Sequence, residues 1–260
     1  MSQLTDQQRA SFERDGFVVL PALVVGADLD LLVDECMLAW SAVKGPYDPD
    51  GTWLHNALLP MIHHHSAAVR RYYYGGPLVT VAEQLIGPNI KGAASQLTFK
   101  LRGNQQTFGW HQDNGYGELD PANAISTLTA LDVADEENGC LWVLPGSHRQ
   151  GQVDISDSFG AAQKASGAEL TMEVADAASA VPVRMQPGDV IVLHSHVLHC
   201  SHGNTSATRD RRILFLRYAD ADAVEVYNQG QPRVGPLLRG TSRFSEVSTC
   251  EQEWVRECGT

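Results

Sequence analysis

The stretch Phe108-Gly-Trp-His-Gln-Asp-Asn114 sets a histidine and an aspartate two positions apart. Side chains at i and i+2 of a strand share a face, roughly 6.5–7 Å apart at the backbone. His111 and Asp113 therefore converge on one ion if the strand bends there, with Gln112 directed elsewhere. A third ligand must come from another strand, and Gly188-Asp-Val-Ile-Val-Leu-His-Ser-His-Val-Leu-His-Cys-Ser-His-Gly-Asn204 offers His194, His196, His199 and His202. Two imidazoles and one carboxylate on one side of an ion leave the opposite positions open, an arrangement that suits non-haem iron and oxygen chemistry. Spacing alone leaves the choice among the four histidines open. The tract His63-His-His65 has no partners at a defined spacing and reads as loop. Tyr72-Tyr-Tyr74 reads as packing or pocket-lining aromatic surface.

The elements that must position these groups are legible in outline. Thr5 with Gln8 three positions on has the pattern of a capping box opening a helix to Asp15, and Gly16 ends it. Phe17-Val-Val-Leu20 reads as a strand. Residues 27 to 40 predict a helix with Leu29, Leu32, Val33, Cys36 and Trp40 on its apolar side, and 77 to 86 a second one stopped by Gly87-Pro88. Beyond Gly87 the texture changes to short Val-, Ile-, Leu- and Thr-rich runs between turn residues, at 92–101, 124–131, 140–144, 190–194 and 212–218. Helices first and strands afterwards predict one β-barrel or sandwich buttressed by helices. Residues 150–180 form a long, weakly periodic excursion of the kind that serves as a lid or as a neutral insertion.

Composition excludes several classes. The 260 residues carry 19 basic and 31 acidic side chains, a net charge of -12 that disfavours a nucleic-acid footprint. No apolar run is long enough for a membrane span, and the opening residues lack a secretory pattern, so a cytoplasmic protein is expected. Five scattered cysteines without a CxxC pair predict free thiols.

Four blocks in order give the chain a resemblance. They are Phe12-x-x-Asp15-Gly16-Phe17-Val-Val-Leu20, Trp110-His-Gln-Asp113, Glu137-Asn-Gly-Cys-Leu-Trp-Val-Leu-Pro-Gly-Ser-His148, and His199-x-Ser201-x-x-Asn204-x-Ser206 leading to Arg211-Arg212. Together they resemble the phytanoyl-CoA dioxygenase family of Fe(II)/2-oxoglutarate-dependent oxygenases. The resemblance implies a mainly β fold with flanking helices and a double-stranded β-helix (jelly-roll, cupin-like) core. One domain is expected over 1–260, with helical support at 1–90, the core at 91–220 and a C-terminal extension at 221–260. It implies His111, Asp113 and His199 as ligands of Fe(II), with 2-oxoglutarate as co-substrate beside O2.

Carried over, Arg211 binds the distal carboxylate of 2-oxoglutarate with the hydroxyl of Ser201 beside it. The gap from His199 is one residue longer than the pattern, which keeps Arg212 open. Lys100 matches a second co-substrate contact, and Gln96 and Thr98 share its strand face. Where some members carry tryptophan this chain has Leu128, and Thr129 is the expected replacement contact. Glu137-Asn-Gly139 and Leu144-Pro-Gly-Ser-His148 are turns that mark the fold. The reaction implied is hydroxylation of an unactivated C–H bond with release of succinate and CO2. Related halogenases have Ala or Gly where Asp113 stands, so the carboxylate argues against halogenation. The substrate is expected to be a small molecule such as a secondary metabolite, contacted by residues among Gln96, Thr98, Asn114, Tyr116 and Trp53, with Arg102 and Arg217 as further candidates. The competing reading is a cupin-like binding module, or a Zn or Mn hydrolase on the same ligands.

Overall fold

The computed structural model describes residues 3–47, 58–116, 118–153, 174 and 176–259. Trp53 and most of the 150–180 excursion lie outside these residues, as does the side chain of Tyr116. The strands are β1 (Phe17–Leu20), β2 (Leu58–Pro60), β3 (Ile90–Lys100), β4 (Phe108–His111), β5 (Leu119–Asp120), β6 (Ala124–Ala130) and β7 (Leu141–Val143). They continue as β8 (Val181–Val183), β9 (Val190–His194), β10 (His199–Ser201), β11 (Arg211–Asp220), β12 (Val224–Glu225), β13 (Gln231–Pro232) and β14 (Leu237–Arg239). The helices are α1 (Asp6–Asp15), α2 (Ala27–Lys44), α3 (Ala67–Gly75), α4 (Pro77–Ile86), α5 (Ser245–Thr249) and α6 (Gln252–Cys258).

A seven-stranded sheet runs β1-β9-β6-β11-β3-β14 with β2 also on β3, and a four-stranded sheet runs β4-β10-β7-β8. Every pairing is antiparallel. The expected mainly β architecture with flanking helices is what the chain adopts. The ends are more integrated than the sequence suggested: β1 lines the edge beside β9, and β14 pairs with β3.

The long sheet has two unlike faces, because strand side chains alternate. Leu97, Phe99, Ile125, Val190, Val192, Leu214, Leu216 and Tyr218 pack with helix residues such as Trp40, Tyr73, Leu78 and Val81 into the main core. The other face contributes Ala130, Ile191, Leu193 and Ile213, which meet Leu141, Val143 and Val183 of the four-stranded sheet in a second core. Between the sheets the packing is incomplete. Ala94, Gln96 and Thr98 of β3, Leu128 of β6 and Phe215 of β11 are each only half-buried, in alternation with buried neighbours. The sandwich interior is thus open at the level of these residues.

Local chemistry explains the starts and stops. The capping box of α1 forms as expected: Thr5 Oγ1 accepts from the Gln8 N–H, and Gln8 Oε1 from the Thr5 N–H. The N-terminus of α4 has Pro77 at its first turn, where a missing N–H costs nothing. α2 runs four residues beyond the expected Trp40, to Lys44. α3 was not anticipated, since Arg-Arg-Tyr-Tyr-Tyr hides its periodicity; Val69, Tyr73 and Tyr74 are buried and Ser66 caps it. All five cysteines are unpaired, and among the described residues no helix is long and apolar enough to cross a membrane.

Candidate metal and co-substrate site

β4 and β10 pair so that His111 lies directly across from His199. Their rings sit 4.1 Å apart at the centroids. β4 stops at His111, and residues Asp113–Tyr116 turn into a short 3-10 helix. That is the bend the HxD spacing required. The Asn114 N–H donates to Ser195 O at 3.1 Å, anchoring the turn. Asp113 Oδ1 comes within 3.8 Å of His111 Nε2 and 3.6 Å of His199 Nε2.

Both imidazoles are oriented through the opposite nitrogen. His111 Nδ1 bonds Gly109 O at 2.7 Å and His199 Nδ1 bonds Val197 O at 3.0 Å. A backbone carbonyl can only accept, so each Nδ1 carries a proton and each Nε2 faces the shared space. Burial, reinforced by His199, pushes the His111 pKa down to about 4, which keeps its imidazole neutral. Burial alone would raise the Asp113 carboxyl; His199, His111 and Arg217 outweigh it and hold it below its ordinary range. Asp113 Oδ2 is buried without a hydrogen bond. Two imidazole Nε2 atoms and a carboxylate with an unsatisfied oxygen form a donor set that fits a divalent iron.

Arg211 shares the interior face of β11 with Ile213, Phe215 and Arg217. It is 4% exposed, its side chain has no hydrogen-bond partner among the described residues, and Nε is buried. Burial lowers its pKa to about 10, still fully charged at neutral pH. Ser201 is buried on β10, and its carbonyl accepts from Lys100, the β3 residue across from Arg211. Arg212 points the other way: Nε and Nη2 grip Asp132 at 2.8 and 2.6 Å. The open choice between the two arginines is thus one between an unpaired inward guanidinium and a paired outward one.

Lys100, across from Arg211 on β3, also points inward. Its Nζ donates to Ser201 O at 3.1 Å and to His202 O, and lies 5.3 Å from the Phe108 ring centroid. Gln96 and Thr98 line the same face; Thr98 Oγ1 donates to Ile213 O at 3.3 Å. Thr129 requires a correction. It lies on the helix-covered face, where its hydroxyl meets Tyr72 Oη at 3.0 Å. Alternation gives the inward position to Leu128, so Thr129 cannot replace the family tryptophan.

Asn114 is engaged with protein rather than held open. Its Oδ1 accepts from Arg217 Nη2 at 3.0 Å and from the Leu119 N–H at 3.2 Å, and its Nδ2 donates to Gln152 Oε1 at 2.9 Å. Gln112 does point elsewhere, donating to Gly151 O and His196 O and accepting from the Val153 N–H. Arg102 pairs with Asp210. Of the remaining histidines, His194 packs between His148 and His196, and His202 stands edge-on to Trp142. None of these joins the triad.

The turn motifs act on the site from behind. Gly139 has φ +81°, and a Cβ there would sit 2.6 Å from His202 O and 3.1 Å from Lys100 Cδ, so glycine is required for the turn to pack beneath Lys100. Asn204 Nδ2 ties Lys100 O to Arg209 O, at 3.0 and 2.8 Å, and so joins the β10–β11 connection to β3. The sequence reading missed Ser126, whose buried hydroxyl lies close to the Asp113 carboxylate without bonding it. Strand alternation, placing it across from Arg217, was the available signal.

The phytanoyl-CoA dioxygenase (PhyH) family profile matches residues 12–213. Methylphosphonate hydroxylase of Gimesia maris is 28% identical over 239 residues, 86% of this chain and 85% of that protein. Phytanoyl-CoA dioxygenase 1 of Oryza sativa is 31% identical over 121 residues, and the match spans only 44% of this chain and 40% of the rice protein. Among solved structures, EctD from S. alaskensis with bound Fe superposes with a TM-score of 0.70 at 23% identity, covering 92% of this chain and 88% of that one, which establishes the shared fold. The chain belongs to the phytanoyl-CoA dioxygenase family of Fe(II)- and 2-oxoglutarate-dependent oxygenases.

Proposed function

We propose that the chain hydroxylates a small molecule, with His111 Nε2, His199 Nε2 and the Asp113 carboxylate holding the iron and Arg211 with Ser201 holding the distal carboxylate of 2-oxoglutarate. When bound, iron and 2-oxoglutarate supply oxygen activation coupled to decarboxylation, leaving succinate and CO2 and oxidising a C–H bond. The observation that carries the reading is Arg211. A buried guanidinium without a protein carboxylate is costly unless an anion completes it, and its planar fork suits a carboxylate in two-point contact. A hydrolase on the same three ligands has no use for it. Lys100 takes a positioning part: by binding the carbonyls of Ser201 and His202 it fixes the strand that carries both His199 and Ser201.

Asp113 occupies the position that would otherwise admit a halide, which supports hydroxylation. The relatives named for methylphosphonate, L-proline and ectoine suggest a compact polar substrate. Gln96, Thr98 and Phe215 on the open interior face are the surfaces it would meet, and Arg217 with Asn114 lies toward the Asp113 end. Anaerobic addition of Fe(II) and 2-oxoglutarate should produce a weak visible charge-transfer band; no band together with tight zinc binding favours the hydrolase. Asp113→Ala or His111→Ala should abolish succinate release coupled to product, and retained coupled turnover in either purified variant would falsify the ligand assignment.

A further inference from the structure

A second group of side chains brings three ligand atoms together among the described residues: His63, His64 and Glu251. The sequence offered only a histidine tract, because the third member lies 187 positions from His64. His63 and His64 belong to the 3-10 turn Ile62–His64, and Glu251 directly precedes α6. His64 Nε2 lies 2.8 Å from Glu251 Oε1 and His63 Nε2 lies 3.4 Å from Oε2. Tyr74 Oη also donates to Oε2.

His63 is the informative member. It is 2% exposed, and its Nδ1 is engaged with Ser95 Oγ at 2.5 Å. Its Nε2 is buried with no hydrogen bond: the carboxylate is near but out of line for a donor. A buried imidazole nitrogen that faces a carboxylate and a second imidazole without a proper bond to either calls for a partner that accepts all three geometries at once. A cation between them does so. Ser95 lies on the helix-covered face of β3, in alternation with the inward Ala94 and Gln96, so this cluster and the triad occupy opposite faces of the long sheet.

We propose that His63 Nε2, His64 Nε2 and a carboxylate oxygen of Glu251 form a second, structural metal site for a divalent transition ion of the zinc class. Two imidazoles and a carboxylate suit zinc and its neighbours, whereas calcium and magnesium prefer all-oxygen shells. Ser95 at Nδ1 fixes the ring as an outer partner of a ligating histidine does, and burial keeps His63 neutral and ready to ligate. The ion would pin the C-terminal helices to the body of the protein. α5 and α6 have five and seven residues, too short to hold helical form without tertiary anchors. The same junction carries Arg70 over the Trp254 ring at 4.1 Å and His64 against Trp254 at 5.4 Å.

The test uses the full chain with Asp113→Ala and His199→Ala together, which disables the triad. Titration with Co(II) should then give one ion per chain with visible absorption of a low-coordinate site, and Zn(II) should raise the thermal midpoint. Adding Glu251→Gln or, at the exposed His64, His64→Ala should weaken binding by at least about tenfold and remove the thermal shift, with the metal-free midpoint of His64→Ala near its parent showing that the fold survives. Absence of a bound ion in the triad-disabled chain overturns the proposal, as does an ion whose affinity neither substitution alters. Glu251→Gln lowering the metal-free midpoint with no response to either metal would show a hydrogen-bonded cluster only, and overturns it too. None of these outcomes bears on the triad itself.

Discussion

Arg211 and Arg212 are adjacent on β11 and live in opposite chemistry. Arg212 faces the helices, where Asp132 takes its Nε, its Nη2 and its backbone N–H. Arg211 faces the interior, buried and without a hydrogen-bond partner among the described residues. The same alternation separates Leu128 from Thr129 and Gln96 from Ser95. At these outer positions Arg212, Thr129 and Ser95 each bond a protein group, while the inner face carries His111, Asp113, His199 and Arg211 with donor or acceptor capacity unspent. The fold stabilises the second face with the first, and sites need such support because unmet polar groups are costly.

The largest test of this contrast is Arg211→Met. Truncating one member of a buried charge pair costs about 2–5 kcal/mol of binding, at least roughly 30-fold in affinity, so KM for 2-oxoglutarate should rise by that factor or more. The metal-free chain should lose no stability, and can gain some, because a buried unpaired charge is replaced by an apolar chain of similar length. An unchanged KM would place the co-substrate elsewhere. Arg212→Met should do the reverse. Losing a half-buried bidentate pair removes about 1–3 kcal/mol of stability in urea unfolding, with KM for 2-oxoglutarate unmoved; a raised KM with intact stability would exchange the roles of the two arginines.

Much of this face-by-face logic was legible in the sequence, and the failures have physical causes. The HxD spacing, the four later histidines and the resemblance brought out the triad, because ligand geometry constrains spacing tightly. α1 and α4 carry explicit caps and stops. Thr129 was misplaced by a single position, since the run Ala124-Ile-Ser-Thr-Leu-Thr-Ala130 has no hydrophobic alternation from which to read a face. α3 was missed because its tyrosines fill a core that only the tertiary fold reveals. Glu251 was invisible as a partner of His63 because nothing local connects them.

A weaker effect separates the histidines. Burial, with His148 and His196 as neighbours, lowers the His194 pKa to about 4. The unfolded chain then binds more protons than the folded one between the ordinary histidine pKa near 6.5 and that value. Its contribution is fully present above about pH 6.5 and is lost as pH falls toward 4. The loss is on the order of 1–2 kcal/mol after discounting its partial exposure to solvent. Replacing His194 with Asn should flatten the dependence of unfolding free energy on pH in that window. An unaltered slope would show that other groups dominate it.

The smallest expected effect sits on the outer face, and it is the most exacting for the comparison. Thr129 Oγ1 and Tyr72 Oη form one hydrogen bond beneath α3, and burial raises the Tyr72 pKa well above its ordinary range, so the phenol remains neutral. Thr129→Val keeps shape and β-branching and removes only the hydroxyl, leaving the part-buried Tyr72 Oη without this partner. That should cost about 1–2 kcal/mol in stability and leave KM for 2-oxoglutarate unchanged. If KM rises while stability holds, Thr129 faces the co-substrate after all, and the assignment of inner and outer positions along β6 must be reversed, taking Leu128 and Ser126 with it.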